Sequence, residues 1–288
     1  MKMNRGINIK RKVSVLIEAL PYIRKYHGKI VVVKYGGKAM EKSKIRRSIM
    51  TDIALLKHVG INPVVVHGGG PDINEAMDKA GIVPKFINGL RVTDKATMGI
   101  VEDVFWKINK EICGFVKKAG GMPIGISGRD HRLIEVVQKN KRLGYVGEIK
   151  RINSEIVLSL IRQNYIPIIS PIGICPDNEI YNINADTAAS YLAVALGAEK
   201  LTVLTDVDGV YYKRKLISNL SIRDARRKIR RGVIRTGMIP KVEACIHAVR
   251  NGCRKAHLIN GTFRHGLLLE IFTDTGVGTE IVRSYTKS

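Results

Sequence analysis

The sequence predicts an α/β fold with a mostly parallel central sheet and helices on both faces. Six short apolar runs recur along the 288 residues, and segments with helical periodicity of about ten residues or more lie between many of them. Strands that alternate with helices typically form parallel sheets. The runs are IVVVK (30–34), PVVVH (63–67), PIGIS (123–127), IPIIS (166–170), KLTVLT (200–205) and AHLIN (256–260).

One stretch departs from this alternation. LIEVVQ (133–138) and YVGEIKRI (145–152) flank a short basic turn, which predicts a β-hairpin inserted between helices. The chain shows no internal repeat and no low-complexity linker, so we expect two lobes that share one sheet. We place the division near Pro176, with one lobe over residues 28–176, a second over 177–288 and a separate N-terminal helix over 1–27.

The N-terminal helix carries one apolar stripe. Its members follow helical spacing, and Pro21 is expected to kink the helix. The stripe fits either packing on the same subunit or contact with another subunit, and both interpretations stay open at this point. It consists of Val13, Leu16, Ile17, Leu20 and Ile23.

Composition limits the classes of partner. Hydrophobic residues make up 45% of the chain, enough to fill a core, and 49 Lys+Arg against 25 Asp+Glu give a net charge of +24. Such a charge indicates an anionic substrate or partner. The densest cluster, KRKLISNLSIRDARRKIRR (213–231), has nine basic residues, but aromatic residues are only 6% of the chain. We therefore expect no dedicated nucleic-acid binding, and frequent Lys, Ile and Asn fit an AT-rich genome.

Cysteine usage and the absence of long apolar runs predict a soluble, reducing location. No run approaches the roughly 20 residues that span a bilayer, and Glu18 and Pro21 interrupt the opening segment where a signal peptide would be apolar. We expect a bacterial cytoplasm or a plastid stroma, and no membrane contact. The cysteines form no CxxC pair, which fits free thiols; they are Cys113, Cys175, Cys245 and Cys253.

Glycine-rich loops follow two of the predicted strands. VVVKYGG (31–37) ends in Lys34, Gly36 and Gly37, and VVVHGGG (64–70) leads into a helix at PDINEAM. Glycine in succession indicates unusual backbone angles or the close approach of a ligand. Two such strand ends beside helix N-termini make a rim of N–H groups that suits phosphate or carboxylate. Either loop alone also fits a tight turn, and neither is a P-loop or a GxGxxG fingerprint.

Three further stretches add polar side chains at strand ends. YNINADTAAS (181–190) places Asn182, Asn184 and Asp186 at a helix start, where they fit ligand binding or simple helix capping. LTDVDGVY (204–211) follows a strand with an Asp and Gly turn, and TGMIPK (236–241) puts Lys241 one turn into a helix. We interpret His67, beside the glycine triplet, as structural.

Seven motifs in order resemble the amino-acid kinase family over nearly the whole chain, and within it the branch that phosphorylates N-acetyl-L-glutamate. They are KYGGKAM, HGGGPDIN, NGLRVTD (88–94), NINADTAAS, LTDVDGV, GMIPKV and LLLEIFTDTGVGTEI (267–281). The resemblance implies a three-layer αβα sandwich whose N-terminal lobe binds the acyl acceptor and whose C-terminal lobe binds ATP. The implied product is N-acetyl-L-glutamyl 5-phosphate, in the second step of arginine biosynthesis. Mg²⁺ would bind through the ATP phosphates without protein ligands.

The resemblance also implies roles for individual residues. Lys34 and Lys241 would stabilise the transferring phosphoryl group, and Asp186 would organise the two lysines. The acetylglutamate would be held by Gly69, Gly70, Arg91 and Asn182. The nucleotide and its phosphates would contact Gly36, Gly37, Asp206, Gly209 and Gly237.

These residue types suit the implied chemistry. Phosphoryl transfer between two anions needs positioning and charge neutralisation rather than covalent catalysis. The attacking carboxylate is already ionised at neutral pH, so no side-chain base is needed. The planar fork of Arg91 can bind both oxygens of a carboxylate. Glutamate, aspartate, carbamate and UMP are phosphorylated by related kinases and remain alternative substrates, and a basic nucleic-acid-binding protein is a distant alternative.

Regulation is implied by the same resemblance, which is strongest to the arginine-sensitive type of cyanobacteria and plastids. In that type a kinked N-terminal helix links dimers into a trimer of dimers, and the signalling protein PII binds the enzyme. L-Arginine would act as effector at a site formed by Tyr22, Lys200, His257, Glu270 and Gly278. Three positions depart from the family pattern, which favours glycine there: His131, Arg132 and Thr236.

Overall fold

A computed structural model describes residues 14, 16–40, 43–273 and 276–285. Val13 and the opening segment therefore lie outside the described residues. The helices are α1 (16–26), α2 (Ser43–His58), α3 (Gly70–Lys79), α4 (Lys95–Lys118), α5 (Glu155–Arg162), α6 (Ala185–Ala195), α7 (Ile222–Arg230), α8 (Ile239–Arg250) and α9 (Gly266–Phe272). No helix within these ranges is long and apolar enough to cross a bilayer.

The strands alternate with these helices along the chain. They are β1 (Ile30–Tyr35), β2 (Asn62–His67), β3 (Phe86–Ile87), β4 (Leu90–Arg91), β5 (Pro123–Ser127), β6 (Ile134–Gln138), β7 (Gly147–Ile152), β8 (Ile166–Ser170), β9 (Ile172–Ile174), β10 (Ile180–Asn182), β11 (Lys200–Thr205), β12 (Tyr211–Tyr212), β13 (Lys215–Leu216), β14 (Asn219–Ser221), β15 (Lys255–Asn260) and β16 (Thr279–Val282). Short 3₁₀ turns cover Gly37–Met40, Asp130–Arg132, Lys141–Leu143 and Thr236–Met238.

Eight strands form one large sheet in the order β14-β16-β15-β11-β1-β2-β8-β5. Neighbours from β15 to β5 are parallel, and β16 runs antiparallel to β15. All six apolar runs singled out in the sequence are strands of this sheet, so the predicted α/β class with a mostly parallel sheet is confirmed. The division near Pro176 stays a prediction.

A smaller sheet, in the order β10-β9-β6-β7, contains the predicted hairpin. Strands β6 and β7 pair antiparallel, from Ile134 opposite Ile152 to Gln138 opposite Gly147. The hairpin is not isolated, because β6 also pairs with β9 at its other edge. The sheet therefore ties this hairpin to β10, which ends at Asn182.

Two apolar cores lie on opposite faces of the large sheet. Along β1, Val32 faces one core, which includes residues of α6 and α8. Val31, Val33 and Tyr35 face the other core, which includes residues of α2 and α4. Side chains of a strand alternate between faces, and a parallel sheet that helices cover on both sides needs apolar residues at every position. This explains the unbroken IVVV run.

The register of the central strands brings the predicted motifs to one edge. Tyr35 in β1 is opposite His67 in β2, and Lys34 is opposite Val203 in β11. Because the three strands are parallel, the loops that follow them start at the same edge of the sheet. The two glycine loops and the turn that begins at Asp206 therefore meet there.

Candidate active site

Three charged side chains from different elements form a buried cluster. Lys34 lies at the end of β1, Asp186 in the first turn of α6 and Lys241 in the first turn of α8. The Nζ of Lys34 is 3.1 Å from Oδ1 of Asp186, and the Nζ of Lys241 donates to Oδ2 of Asp186 at 3.1 Å. One carboxylate thus holds two ammonium groups, one on each oxygen.

Burial makes this cluster electrostatically strong. Burial alone would raise the pKa of Asp186, but Lys34 and Lys241 hold that pKa below its ordinary value. Burial lowers the pKa of Lys34, and Lys241 adds to this effect while Asp186 opposes it. Two cations share a single anion, so the cluster carries an excess positive charge that favours a further anion.

Local sequence fixes the position of Asp186. Asn184 is the N-cap of α6, where its Oδ1 accepts hydrogen bonds from the backbone N–H of Asp186 and of Thr187 at 2.9 and 3.1 Å. Substitution of such a cap typically costs about 1 kcal/mol. The capping interpretation is therefore correct for Asn184, and the cap fixes the helix start two residues before Asp186, the residue that contacts the lysines.

A cavity of about 250 Å³ opens beside the cluster. The end of β1, the start of α3, the β3–β4 hairpin and the β10–α6 junction form its walls. Most of the residues that the resemblance assigns to acetylglutamate and to catalysis are brought together here. Those that line the cavity are Lys34, Gly69, Gly70, Arg91, Asn182 and Asp186, and Gly37 from the residues assigned to the nucleotide lines it as well.

Arg91 presents a guanidinium without an acidic partner. Its side chain donates to Oδ1 of Asn74 at 2.6 Å and to the carbonyl of Gly70 at 3.2 Å, and it lies 4.9 Å from the ring centroid of Phe86. Within the described ranges, no carboxylate approaches it within ion-pair distance. A buried guanidinium held by neutral acceptors suits a carboxylate ligand, which can accept two parallel hydrogen bonds.

The sequence did not single out two residues that hold this side of the cavity. Asn74 accepts the Arg91 hydrogen bond, and Thr93 Oγ1 accepts from Nδ2 of Asn182 at 3.3 Å. Asn74 lies one turn into α3 within the HGGGPDIN motif, so its place at the helix start was a usable signal. Thr93 lies in the NGLRVTD motif, but the motif does not indicate its partner, Asn182, which comes from β10.

The three glycines of the triplet do not share one structural cause. None of the three has a positive φ. A Cβ on Gly69 would lie 2.7 Å from Cδ1 of Ile108 and 3.1 Å from the Phe105 ring, so packing against α4 disfavours a side chain there. A Cβ on Gly70 would meet no protein atom within 4 Å, and one on Gly68 would make only ordinary contacts of 3.8 Å or more. Packing thus bears on Gly69, and Gly68 and Gly70, which line the cavity, are left for the close approach of a ligand.

The residues expected to bind nucleotide fall at the same sheet edge. Gly36 follows β1, and an added Cβ would lie 3.1 Å from the Lys34 ammonium. Asp206 and Gly209 lie in the turn after β11, and Gly237 lies in the 3₁₀ turn before α8. The last three do not line the 250 Å³ cavity, and Lys241 joins it only through Asp186. Of the five residues expected to bind nucleotide, Gly37 therefore lines this cavity and the other four do not.

His67 is a neutral, buried structural residue. Its Nδ1 donates to the carbonyl of Gly68 at 3.0 Å, and its Nε2 accepts from the hydroxyl of Ser170 at 2.9 Å. Burial lowers its pKa to about 4. An imidazole that stays neutral and fully hydrogen-bonded links β2 to β8, as the sequence interpretation expected.

A second cavity, of about 460 Å³, collects all five residues proposed to bind arginine. Tyr22, Lys200, His257, Glu270 and Gly278 line it together with Lys255 and Glu280. Lys200 is the first residue of β11, whereas Lys34, which lines the first cavity, is near the end of the parallel neighbour β1. The two cavities therefore lie at opposite ends of the strands.

Glu270 is the centre of this second cavity. Its Oε1 lies 3.1 Å from the Lys200 Nζ and also contacts Nδ1 of His257, while its Oε2 accepts from the N–H of Val277 at 3.0 Å. Burial would raise the pKa of Glu270, but these contacts lower it to about 2. The carboxylate is ionised and both of its oxygens are engaged, but Oε2 has one donor among the described residues, so acceptor capacity for an incoming guanidinium remains there.

Two departures from the family pattern have a visible backbone consequence. His131 and Arg132 have φ values of 50° and 53°, the left-handed region that favours glycine. Arg132 donates to the carbonyl of Cys175 at 3.1 Å and to Oδ1 of Asn178 at 3.3 Å. These bonds tie the loop to the turn between β9 and β10 and offset part of the backbone cost.

Comparison with known proteins decides the family. The profile of the amino acid kinase family matches residues 29–260. The acetylglutamate kinase of Thermoanaerobacter pseudethanolicus is 51% identical over 277 residues, covering 94% of this chain and 93% of that protein. This chain belongs to the acetylglutamate kinases of the amino acid kinase family. The enzyme of Carboxydothermus hydrogenoformans is 50% identical over 284 residues, with 93% and 97% of the two chains covered.

Solved structures agree on the fold of this family. The N-acetylglutamate synthase of Neisseria gonorrhoeae, complexed with coenzyme A and N-acetyl-glutamate, has a TM-score of 0.86 at 24% identity; 95% of this chain and 64% of that chain are covered. The same synthase complexed with coenzyme A and L-arginine has a TM-score of 0.82 at 25% identity, with 94% and 65% covered. The expected αβα amino-acid kinase fold is confirmed. The arginine-sensitive cyanobacterial and plastid type stays a prediction.

Proposed function

We propose that this protein transfers the γ-phosphoryl group of ATP to the side-chain carboxylate of N-acetyl-L-glutamate. The observation that carries the proposal is the Lys34–Asp186–Lys241 cluster, which has an excess positive charge and lies beside a cavity that presents Arg91 without an acidic partner. Acetylglutamate kinases about 50% identical over 94% of the chain support the choice of substrate.

Each residue has a defined task in this reaction. Arg91 binds the substrate α-carboxylate, and Asn182 donates its amide to the bound acid. Lys34 and Lys241 neutralise the charge that spreads over the phosphoryl oxygens, while Asp186 holds the two ammonium groups in place before the reaction starts. Because these charges are already in position, they do not need to reorient as the transition state forms. They stabilise the transition state and so lower the activation barrier.

ATP is the second substrate, and the donors at the sheet edge fit its phosphates. Gly36, Gly37 and Gly237 leave space for phosphate oxygens, and Asp206 and Gly209 form the turn on the nucleotide side. Among the described residues, no group of His, Cys, Asp and Glu side chains could hold a metal by itself. Mg²⁺ would therefore reach the site on the β- and γ-phosphates, where it would neutralise negative charge.

A substrate panel tests this proposal. ADP release is measured with N-acetyl-L-glutamate, glutamate, aspartate, carbamate and UMP at equal concentrations. We expect kcat/KM for N-acetyl-L-glutamate to exceed every other value by about 10²-fold or more, because unpaired buried polar groups reject acids that lack the acetyl group. A preference for any other acid would assign the cavity to a different kinase.

We further propose that L-arginine binds the second cavity as an inhibitor. The cavity combines Glu270 and Glu280 for a guanidinium with Lys200 and Lys255 for a carboxylate. The synthase structure with L-arginine, whose chain shares this fold, supports the ligand class. Arginine should raise the apparent KM for acetylglutamate, and unchanged activity in millimolar arginine at sub-saturating acetylglutamate would contradict this proposal.

The assembly and setting are also proposals. Leu16, Ile17 and Leu20 are 71%, 63% and 41% exposed on α1, so this face is free to join a second subunit in a dimer or trimer of dimers. PII remains a proposed partner wherever the source organism has one, and gel filtration of the mixture tests it. Bacterial relatives support a bacterial cytoplasm over a plastid.

A further inference from the structure

A basic groove lies at the outer edge of the large sheet, between the β12–β13 hairpin and α7. Its volume is about 450 Å³, and β14, the edge strand, forms part of its floor. Its lysines and arginines belong to neither cavity described above. The side chains that matter here are Tyr212, Lys213, Lys215, Arg227, Lys228 and Tyr285.

The positive charge around this groove is mostly unneutralised. Residues 213–231 contain nine Lys and Arg, and within the described ranges only Arg227 of these forms an ion pair, with Asp224 at 2.6 Å. Arg223, Arg227 and Arg230 are exposed along one face of α7. Like charges at such spacing destabilise a helix. A bound polyanion would therefore reduce the repulsion between these arginines.

The hairpin tip holds two of these cations in a costly conformation. Lys213 and Arg214 are the two loop residues between β12 and β13, with φ values of 48° and 63°. Two-residue loops of this kind strongly favour Asn-Gly, and left-handed angles are unfavourable for other residues with a side chain. A backbone cost at two adjacent cations is characteristic of a functional position.

Folding also adds aromatic rings to the basic cluster. The Nζ of Lys228 lies 4.3 Å from the ring centroid of Tyr212. Tyr285, far along the chain, donates its hydroxyl to Asp224 at 2.7 Å and lines the same groove. Both rings are exposed. The low aromatic content of the sequence hid this arrangement, because Tyr285 reaches α7 only in the folded chain.

We propose that this groove binds single-stranded nucleic acid. Lys213, Arg214 and the exposed face of α7 contact phosphates, and the rings of Tyr212 and Tyr285 contact bases. A cationic groove with exposed aromatic rings is the usual arrangement for single strands. An acidic peptide would neutralise the charges but offer no planar partner for the rings, so the rings favour nucleic acid.

Fluorescence anisotropy tests the proposal with the full chain and a fluorescein-labelled 20-nucleotide oligouridine. Excess ATP keeps the nucleotide site of the kinase filled. Affinity is measured from 50 to 200 mM salt, and its logarithm should fall with the logarithm of salt with a slope of about −0.7 for each phosphate contact. Five contacts would give a slope of about −3.5. Absence of binding at 50 mM salt overturns the proposal.

A matched pair of variants locates the site. Lys213→Asn with Arg214→Gly removes two cations and supplies the preferred turn sequence, so Tm should stay or rise while the salt slope loses about 1.4. Lys139→Asn with Lys141→Asn removes two exposed charges elsewhere and should leave the slope unchanged. Equal effects of the two variants, or equally tight binding of polyglutamate in competition, would overturn the proposal.

Discussion

At the scale of single residues, the proposed catalysis depends on one carboxylate that contacts two lysines. Asp186 is buried and contacts Lys34 and Lys241 at 3.1 Å each. Burial of these charges costs desolvation free energy, which the neighbouring charges outweigh at Asp186 but only partly offset at Lys34. It is therefore better explained by catalysis than by stability, since a phosphoryl group brings the negative charge that the cluster lacks.

The first prediction removes either lysine. Lys34→Ala and Lys241→Ala should each lower kcat by about 10²-fold or more, as loss of one preorganised charge contact typically does. Steady-state ADP release measures kcat, and circular dichroism reports the fold. Lys139→Ala, an exposed lysine, is the control and should behave as wild type. Near-normal kcat in both site variants would refute the assigned roles.

The second prediction concerns Asp186 itself. Asp186→Asn leaves two cations that face each other without an anion, so the free energy of unfolding should fall by about 3–5 kcal/mol. Urea denaturation measures this value. If Asp186 mattered only as a helix-start residue, its loss would cost about 1 kcal/mol. Added phosphate should restore part of the lost stability, because an anion can replace the carboxylate.

At the scale of elements, strand ends and helix caps position the residues of the lysine cluster. Six of the eight strands of the large sheet could be predicted, and in five of them, all but β5, most or all residues are buried, which leaves continuous apolar runs. Strands β3, β4, β12 and β13 were missed because they have two residues each and depend on their turns. Strands β14 and β16, the edge strand of the large sheet and its neighbour, were missed for a related reason: strands of three and four residues carry no distinctive pattern.

Helix α9 gives a pH-dependent prediction through Glu270. Its folded pKa of about 2 is below the ordinary 4.5, so its contribution to stability is complete above pH 4.5 and is lost as pH falls toward 2. Urea unfolding of wild type and Glu270→Gln should therefore differ more at pH 6 than at pH 3. A difference that stays constant across this range would mean that Glu270 acts through packing alone.

Helix α1 carries the prediction about assembly. Tyr26 is buried, and its ring lies 5.6 Å from the Lys200 Nζ, so deleting residues 1–26 would also damage the second cavity. Leu16→Asp with Leu20→Asp disturbs only the exposed face. We expect a smaller species in analytical ultracentrifugation and loss of any sigmoidal response to arginine. Arg24→Ala is the control. An unchanged mass of the double variant would mean that the apolar stripe of α1 does not contact another subunit.

At the scale of the whole molecule, the two cavities lie at opposite ends of the strands of one sheet. The charged residues of the candidate site could be predicted, because the order of the motifs along the chain indicates which side chains lie at the end of each strand. The partners of Asn74 and Thr93 could not be predicted, since they come from other elements, although both residues lie in recognised motifs. Glu270 was predicted in place, but the sequence did not reveal that Lys200, His257 and Val277 already occupy its oxygens.

We expect the site beside the lysine cluster to convert N-acetyl-L-glutamate into an acyl phosphate. Hydroxylamine converts an acyl phosphate into a coloured hydroxamate, which reports the product directly. We predict hydroxamate from wild type with ATP and N-acetyl-L-glutamate, about 10²-fold less from Lys34→Ala, and none without the acid. Wild-type protein that yields no hydroxamate from N-acetyl-L-glutamate, or as much from unacetylated glutamate, would contradict the account.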